Sequence, residues 1–107
     1  MLIDCPFLGK PVELTSERMK HITQRHPELG PGAEELIREC INDPDEILAV
    51  SAEPEALMFT RKLNLRIGGR FLVSVVLEDG RGSPRHWVVT AYTTGSLGKG
   101  ETIWIKS

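Results

Sequence analysis

Polar and apolar positions follow two rhythms along the 107-residue chain. Up to Asn42 the apolar positions recur every three or four residues. Thr15 and Ser16 are both N-cap candidates, Glu17 sits in the first turn, and Met19, Ile22 and His26 form one helical stripe. Pro27 limits that helix, and Gly30-Pro31-Gly32 breaks the pattern. A second helix follows, with Leu36, Ile37, Cys40 and Ile41 inward and Glu34, Glu35, Arg38 and Glu39 outward, ended by Asn42-Asp43-Pro44. The rhythm then becomes that of strands. Ile47 to Ser51 is a short apolar run, Glu53-Pro54-Glu55 interrupts it, and Leu57 to Leu65 resumes it. Gly68-Gly69 punctuates. Phe71 to Leu77 is the strongest strand signal, and Glu78 to Pro84 reads as a turn or loop. His86 to Thr93 is rich in Val, Thr, Trp and Tyr, Gly95 to Gly100 reads as a flexible hairpin loop, and Thr102 to Ile105 closes the set. Helices first and strands after predict an α+β domain, two helices layered on one face of an antiparallel sheet. Residues 1–14 read as an N-terminal extension, 15–46 as the helical part and 47–107 as the sheet of a single domain.

Composition narrows the class. With 40% hydrophobic and 26% charged residues the chain can bury one ordinary core and is too apolar to be disordered. No run approaches the roughly 20 apolar residues that span a bilayer. The opening Met1-Leu2-Ile3-Asp4-Cys5-Pro6 lacks a basic region and a long apolar stretch, so no secretory signal is expected and the cytoplasm is the expected location. Cys5 and Cys40 form no CxxC pair and are expected to act as small hydrophobes in a reduced compartment. The three histidines lack HExxH spacing, and there is no GxSxG, so neither a metal, a cofactor nor a serine triad is expected.

Net charge is −2, but its distribution is uneven. Residues 1–56 carry five Lys or Arg against twelve Asp or Glu; residues 57–107 carry eight against three. Either the second half meets an anion, or the halves neutralise each other where they pack.

Two constellations could carry chemistry. In His21-Ile22-Thr23-Gln24-Arg25-His26-Pro27-Glu28, His21 and Arg25 are four apart and share a helix face. An imidazole passes protons near neutrality, and a guanidinium holds phosphate bidentately. The bland alternative is a solvated His-Arg pair with His26 satisfied near the helix end. In the strand His86-Trp87-Val88-Val89-Thr90-Ala91-Tyr92-Thr93, alternation puts His86, Val88, Thr90 and Tyr92 on one face and Trp87, Val89, Ala91 and Thr93 towards the core. The first set could bind a phosphate and stack a base; the alternative is an ordinary solvated face. Arg61 and Lys62 must point to opposite faces, while Arg66, Arg70 and Arg85 fall near strand ends. Lys62, Arg85 and His86 are the substrate-binding candidates. Gly95-Ser96-Leu97-Gly98-Lys99-Gly100 misses the GxxxxGK[ST] spacing and precedes a strand, so it is no phosphate loop.

Thr15, His21-Ile22-x-x-Arg25-His26-Pro27-Glu28, Asp43-Pro44-Asp45-Glu46-Ile47, Val88-Val89-Thr90-Ala91-Tyr92 and Ile103-Trp104 occur in that order over most of the chain. Together they resemble the phage-associated members of the barnase–EndoU–colicin–RelE-like (BECR) nuclease group. The resemblance implies N-terminal helices against a roughly four-stranded antiparallel sheet, and a metal-independent ribonuclease site on it, associated with phage or toxin systems. By position it carries over His21, Arg25, His26, Thr90 and Tyr92 as catalytic candidates; Lys62 is added from charge and strand placement. In such a site the RNA 2′-hydroxyl is the nucleophile, His21 or His26 is acid or base, and Arg25 and Lys62 hold the phosphate. Thr90 donates to that phosphate, and Tyr92 stacks a base or orients it. The acidic balance departs from a typical RNA-cleaving toxin and argues against strong nonspecific RNA binding; a narrow substrate or a protein-held RNA reconciles it. Two other classes compete: an inactive module of the same fold that grips RNA or an acidic protein such as an antitoxin, and a domain that pairs with its own copy through a sheet edge.

Overall fold

A side chain starts the first helix. Thr15, in extended backbone, accepts a hydrogen bond on its hydroxyl from the Arg18 N–H at 3.0 Å, capping α1 (Ser16–Arg25). In the computed structural model, which describes residues 1–63, 70–78, 85–98 and 100–107, α1 gives way at His26 to a short 3-10 turn (Pro27–Leu29). Gly30, at φ 72, takes the left-handed conformation that the reversal requires, and α2 (Ala33–Asn42) follows. The predicted inward residues of α2 are buried: Ile37, Cys40 and Ile41 fully, with Leu36 packed against them.

The strands are β1 (Leu2–Ile3), β2 (Val12–Glu13), β3 (Glu46–Val50), β4 (Glu53–Leu63), β5 (Arg70–Glu78), β6 (His86–Thr94) and β7 (Glu101–Ile105). They form one seven-stranded sheet in the order β1-β2-β6-β5-β4-β3-β7. The α+β class holds, but the sheet is larger than four strands, and it is mixed: β2 runs parallel to β6 while the other pairs are antiparallel. Two of the added strands come from residues 1–14. That segment is no appendage, because Ile3, Cys5, Val12 and Leu14 are buried in the core with Ile22, Ile37, Cys40, Ile41, Ile47, Phe59, Leu72, Val76, Val88 and Ala91. The interrupting Glu53-Pro54-Glu55 lies inside β4, at its start, where a proline without a ladder partner is tolerated.

The last connection also departs from expectation. β6 and β7 are not a hairpin, since β5, β4 and β3 lie between them. The register aligns Tyr92, Val73, Thr60, Glu46 and Ile105 in one row, and Thr90, Val75, Met58, Leu48 and Thr102 in another. β7 therefore runs in the direction of β6. The chain after Thr94 must return diagonally over the sheet, and Ser96, Leu97 and Gly98 lie against Leu48, Met58 and Val73 on the face away from the helices. Gly100 passes closest: a Cβ there would stand 3.2 Å from both Leu48 Cβ and Met58 Cε. The Gly68-Gly69 break, the end of the predicted run to Leu65, Arg66, the turn 79–84 and Lys99 lie outside the described residues.

Charge ties the layers together. Asp43, capping the C-terminus of α2, accepts from Arg61 Nη1 on both its carbonyl (2.8 Å) and its carboxylate (3.3 Å), and from Lys106 Nζ at 3.0 Å. Lys106, followed by Arg61, holds the Asp43 carboxyl below its usual range.

The two thiols are sealed in. Burial pushes the Cys40 thiol up to about 12 from 9.0, and its S–H donates to the Phe59 carbonyl at 3.2 Å. The raised value has a defined sign: its stabilising contribution is whole below pH 9 and is lost as pH rises towards 12. In the folded protein at pH 8 a thiol reagent should therefore leave Cys40 unmodified and label it only on denaturation; rapid native labelling would contradict the burial. The Ile37→Ala substitution should cost about 2–5 kcal/mol in urea unfolding, against about 1 kcal/mol for Thr15→Ala.

Candidate functional site

An extra residue in β6 decides which of its side chains share a face. Val75 pairs with Thr90 and Val76 with Val88, so Val89 is a β-bulge. Before it, His86 and Val88 point to the helix side and are buried; after it, Ala91 takes over that side. Thr90 and Tyr92 point the other way, level with Val75 and Val73. The predicted single polar face of His86, Thr90 and Tyr92 is thus split, and Trp87, predicted for the core, is only half-buried outside it. A strand's side-chain period is two, so one inserted residue exchanges the faces beyond it.

The helix reaches β6 from its open edge. β2 pairs only with His86 and Trp87, so past Trp87 that edge of β6 has no strand neighbour among the described residues, and α1 and the 3-10 turn pack there instead. His26 closes α1, its N–H donating to the Ile22 carbonyl at 2.8 Å, and Pro27 forbids another turn. This brings the His26 ring to 6.0 Å from the Tyr92 ring, centroid to centroid and tilted by 38°. Glu28 Oε1 lies 3.2 Å from His26 Nδ1. A carboxylate accepts, so this contact favours a proton on Nδ1, the tautomer that leaves the lone pair on Nε2. Arg25, in the last turn of α1, is exposed and makes no hydrogen bond or ion pair among the described residues.

The other candidates lie apart. His21 precedes His26 by five residues, roughly 140° around the helix, and lines a groove of 420 Å³ with Thr15, Glu17, Arg18, Lys20 and Gln24. Thr90 shares the Tyr92 face but not its cavity. Tyr92 lines a 250 Å³ cavity with Thr94, Leu97 and the apolar Leu48, Met58 and Val73. Lys62 lines a neighbouring one of 450 Å³ with Phe71, Leu97 and Ile105. Leu97 borders both, and Lys62, Phe71 and Thr94 form one cross-strand row. Arg85 and His86 stand at the opposite end of β6, on the order of 20 Å from Lys62 at roughly 3.3 Å per residue. Arg85 Nη2 meets Glu13 Oε2 at 2.5 Å. His86, 5% exposed, has Nε2 at 3.7 Å from Glu78 Oε1 and, among the described residues, no hydrogen-bond partner for Nδ1. These two stand at the other end of β6 from Tyr92 and the His26 beside it.

Much of the charge asymmetry is internal. Arg61 and Lys106 pair with Asp43, and Arg85 pairs with Glu13, so cations of the second half meet acids of the first. Among the described residues no three His, Cys, Asp or Glu side chains gather to hold a metal ion. Glu28 and Leu97 were not singled out by the sequence reading. Glu28 had a local signal, an acid two residues after a histidine; Leu97 had none, because its place depends on where β7 pairs.

No protein family, curated protein or solved structure matches the chain.

The geometry makes a direct prediction. In His26→Ala the Tyr92 ring protons should shift in the NMR spectrum, because a neighbouring aromatic ring is lost, whereas His21→Ala should leave them in place. Equal shifts in both variants would place the two histidines together.

Proposed function

We propose that the chain is a metal-independent endoribonuclease, phage- or toxin-associated and acting in the cytoplasm, with its reactive centre at His26 and Tyr92. The observation that carries this reading is the approach of these two rings, which joins the helix end to the sheet. The 2′-hydroxyl of RNA attacks the adjoining phosphorus to close a 2′,3′-cyclic phosphate, His26 Nε2 accepts its proton, and the P–O5′ bond breaks as the 5′-oxygen takes a proton from solvent water. Glu28 holds the imidazole in the tautomer a base needs. Arg25 beside it takes the scissile phosphate, Tyr92 orients that phosphate or stacks a base, and Thr90 donates to the RNA from the same sheet face. His21 and Lys62 contact the strand outside the reacting phosphate, His21 from its own groove and Lys62 beyond Leu97.

A second reading keeps the fold without the chemistry: a module that grips RNA or an acidic protein such as an antitoxin. What favours it over cleavage along an extended RNA is the pairing of Arg61, Arg85 and Lys106 with acids of the chain itself, which suits a compact acidic partner better than a long polyanion.

The test is incubation of the pure protein with total RNA in EDTA. Discrete cleavage is expected, reduced about 10²–10⁴-fold by His26→Ala and much less by His21→Ala. DNA should be inert, because it lacks the 2′-hydroxyl. Cleavage of DNA at a comparable rate removes this mechanism; no cleavage of RNA by folded protein selects the second reading.

A further inference from the structure

We propose that β7 is a self-association edge, pairing antiparallel with β7 of a second copy of this chain to continue the sheet across a two-fold axis. β7 is the terminal strand beyond β3, and its outer side has no strand partner among the described residues. An unpaired edge is a template for another strand. Three of the five exposed large apolar residues among those described lie there, the other two being Met1 and Leu2 at the β1 edge. Ile103 is 44% and Ile105 66% exposed, and Phe7, 38% exposed, stacks edge-on against Trp104 with centroids 6.1 Å apart. Solvated edge strands ordinarily avoid this composition, and an apolar patch of this kind marks an association surface.

The occupant follows from the charges and from a second bulge. Trp104 pairs with Ile47 and Thr102 with Leu48, so Ile103 is the extra residue. Across it, Glu101 and Lys106 fall on one face of the sheet although they are five residues apart, while Thr102 and Ile105 share the other. An antiparallel copy centred on Trp104 then sets Glu101 of each chain opposite Lys106 of the other and Ile105 opposite Thr102. The strand is complementary to itself in both charge and face, which is the requirement of an isologous two-fold contact. Lys106 already meets Asp43, so the second copy's Glu101 would add a second carboxylate to a lysine held in place. The other outer strand offers less: β1 has two residues, and the chain's amino terminus is bound there to the Leu14 carbonyl. Because Ile105 also lines the cavity next to Lys62, the second copy would raise a wall along that cavity's rim.

Sedimentation equilibrium over a concentration series tests this. The wild type should move from 11.9 kDa towards twice that mass. Ile105→Lys should remain monomeric, and Glu101→Lys should raise the dissociation constant at least tenfold, both with thermal melts unchanged at concentrations where the wild type is monomeric. Leu2→Lys, at the opposite edge, should dimerise like the wild type. Backbone amides of residues 103 and 105 should gain exchange protection with concentration. A wild type that is monomeric throughout overturns the proposal. So does a dimer that survives Ile105→Lys, or one that Leu2→Lys dissolves.

Discussion

The site hangs on the asymmetry of one strand. Among the described residues, β6 is paired on both sides where it begins and on one side where it ends. Where β2 ends, α1 and the 3-10 turn pack against β6 and cover the apolar core beside that edge. Ile22 provides the anchoring contact, fully buried against the same core as Ile37 and Val88. Once Ile22 is seated, the end of α1 is fixed relative to β6. His26, one turn beyond, has no freedom but to stand beside Tyr92. Packing energy thus sets a distance between two polar rings that no direct bond between them maintains.

The bulge at Val89 is the second half of that arrangement. Without it Tyr92 would fall on the side of His86 and Val88, in the core, and Ala91 would face outward. The insertion keeps a small residue inward, where α1 and α2 crowd the sheet, and turns a phenol outward. A bulge of this kind also increases local twist, which carries the end of β6 towards the helix that borders it. Structure and chemistry therefore share a cause: the residue that breaks the ladder is the one that exposes Tyr92.

Local signals were readable in the residues. The Thr15 cap, the buried stripe of α2, the stop at Asn42 and the long strand from Phe71 all depend on near neighbours, and each was visible in composition and period. The parts that escaped are set at a distance. Two-residue strands such as β1 and β2 have no period to detect; only the burial of Ile3 and Val12 reveals them. A bulge does not alter the sequence pattern by anything that alternation can register, so His86 was assigned to the wrong face. The position of β7 beyond β3 is a matter of tertiary pairing, and the glycine-rich segment before it reads the same whether it turns a hairpin or crosses a sheet. For the site, the His26-Pro27-Glu28 cluster was legible because it is local. Its separation from His21 needed only the helical period, and its meeting with Tyr92 needed the fold.

The covered face bears on what a substrate could do. The segment carrying Ser96, Leu97 and Gly98 lies where an open sheet would otherwise present Val73 and Leu48, and it converts a flat surface into two concavities on either side of Leu97. A flexible polymer laid on a flat sheet contacts every row equally; one meeting a ridge must bend over it. A ligand that begins at His26 and Tyr92 therefore reaches Lys62 and Phe71 only by passing Leu97. On the proposed reading its backbone charges would meet Arg25 at one end and Lys62 at the other, while Arg61 lies on the opposite face of the sheet, engaged by Asp43. Such a surface discriminates by shape before it attracts by charge. On the proposed reading, that is how a chain of net charge −2 would act on a polyanion: it would select a bent, locally exposed segment instead of binding the polymer at large.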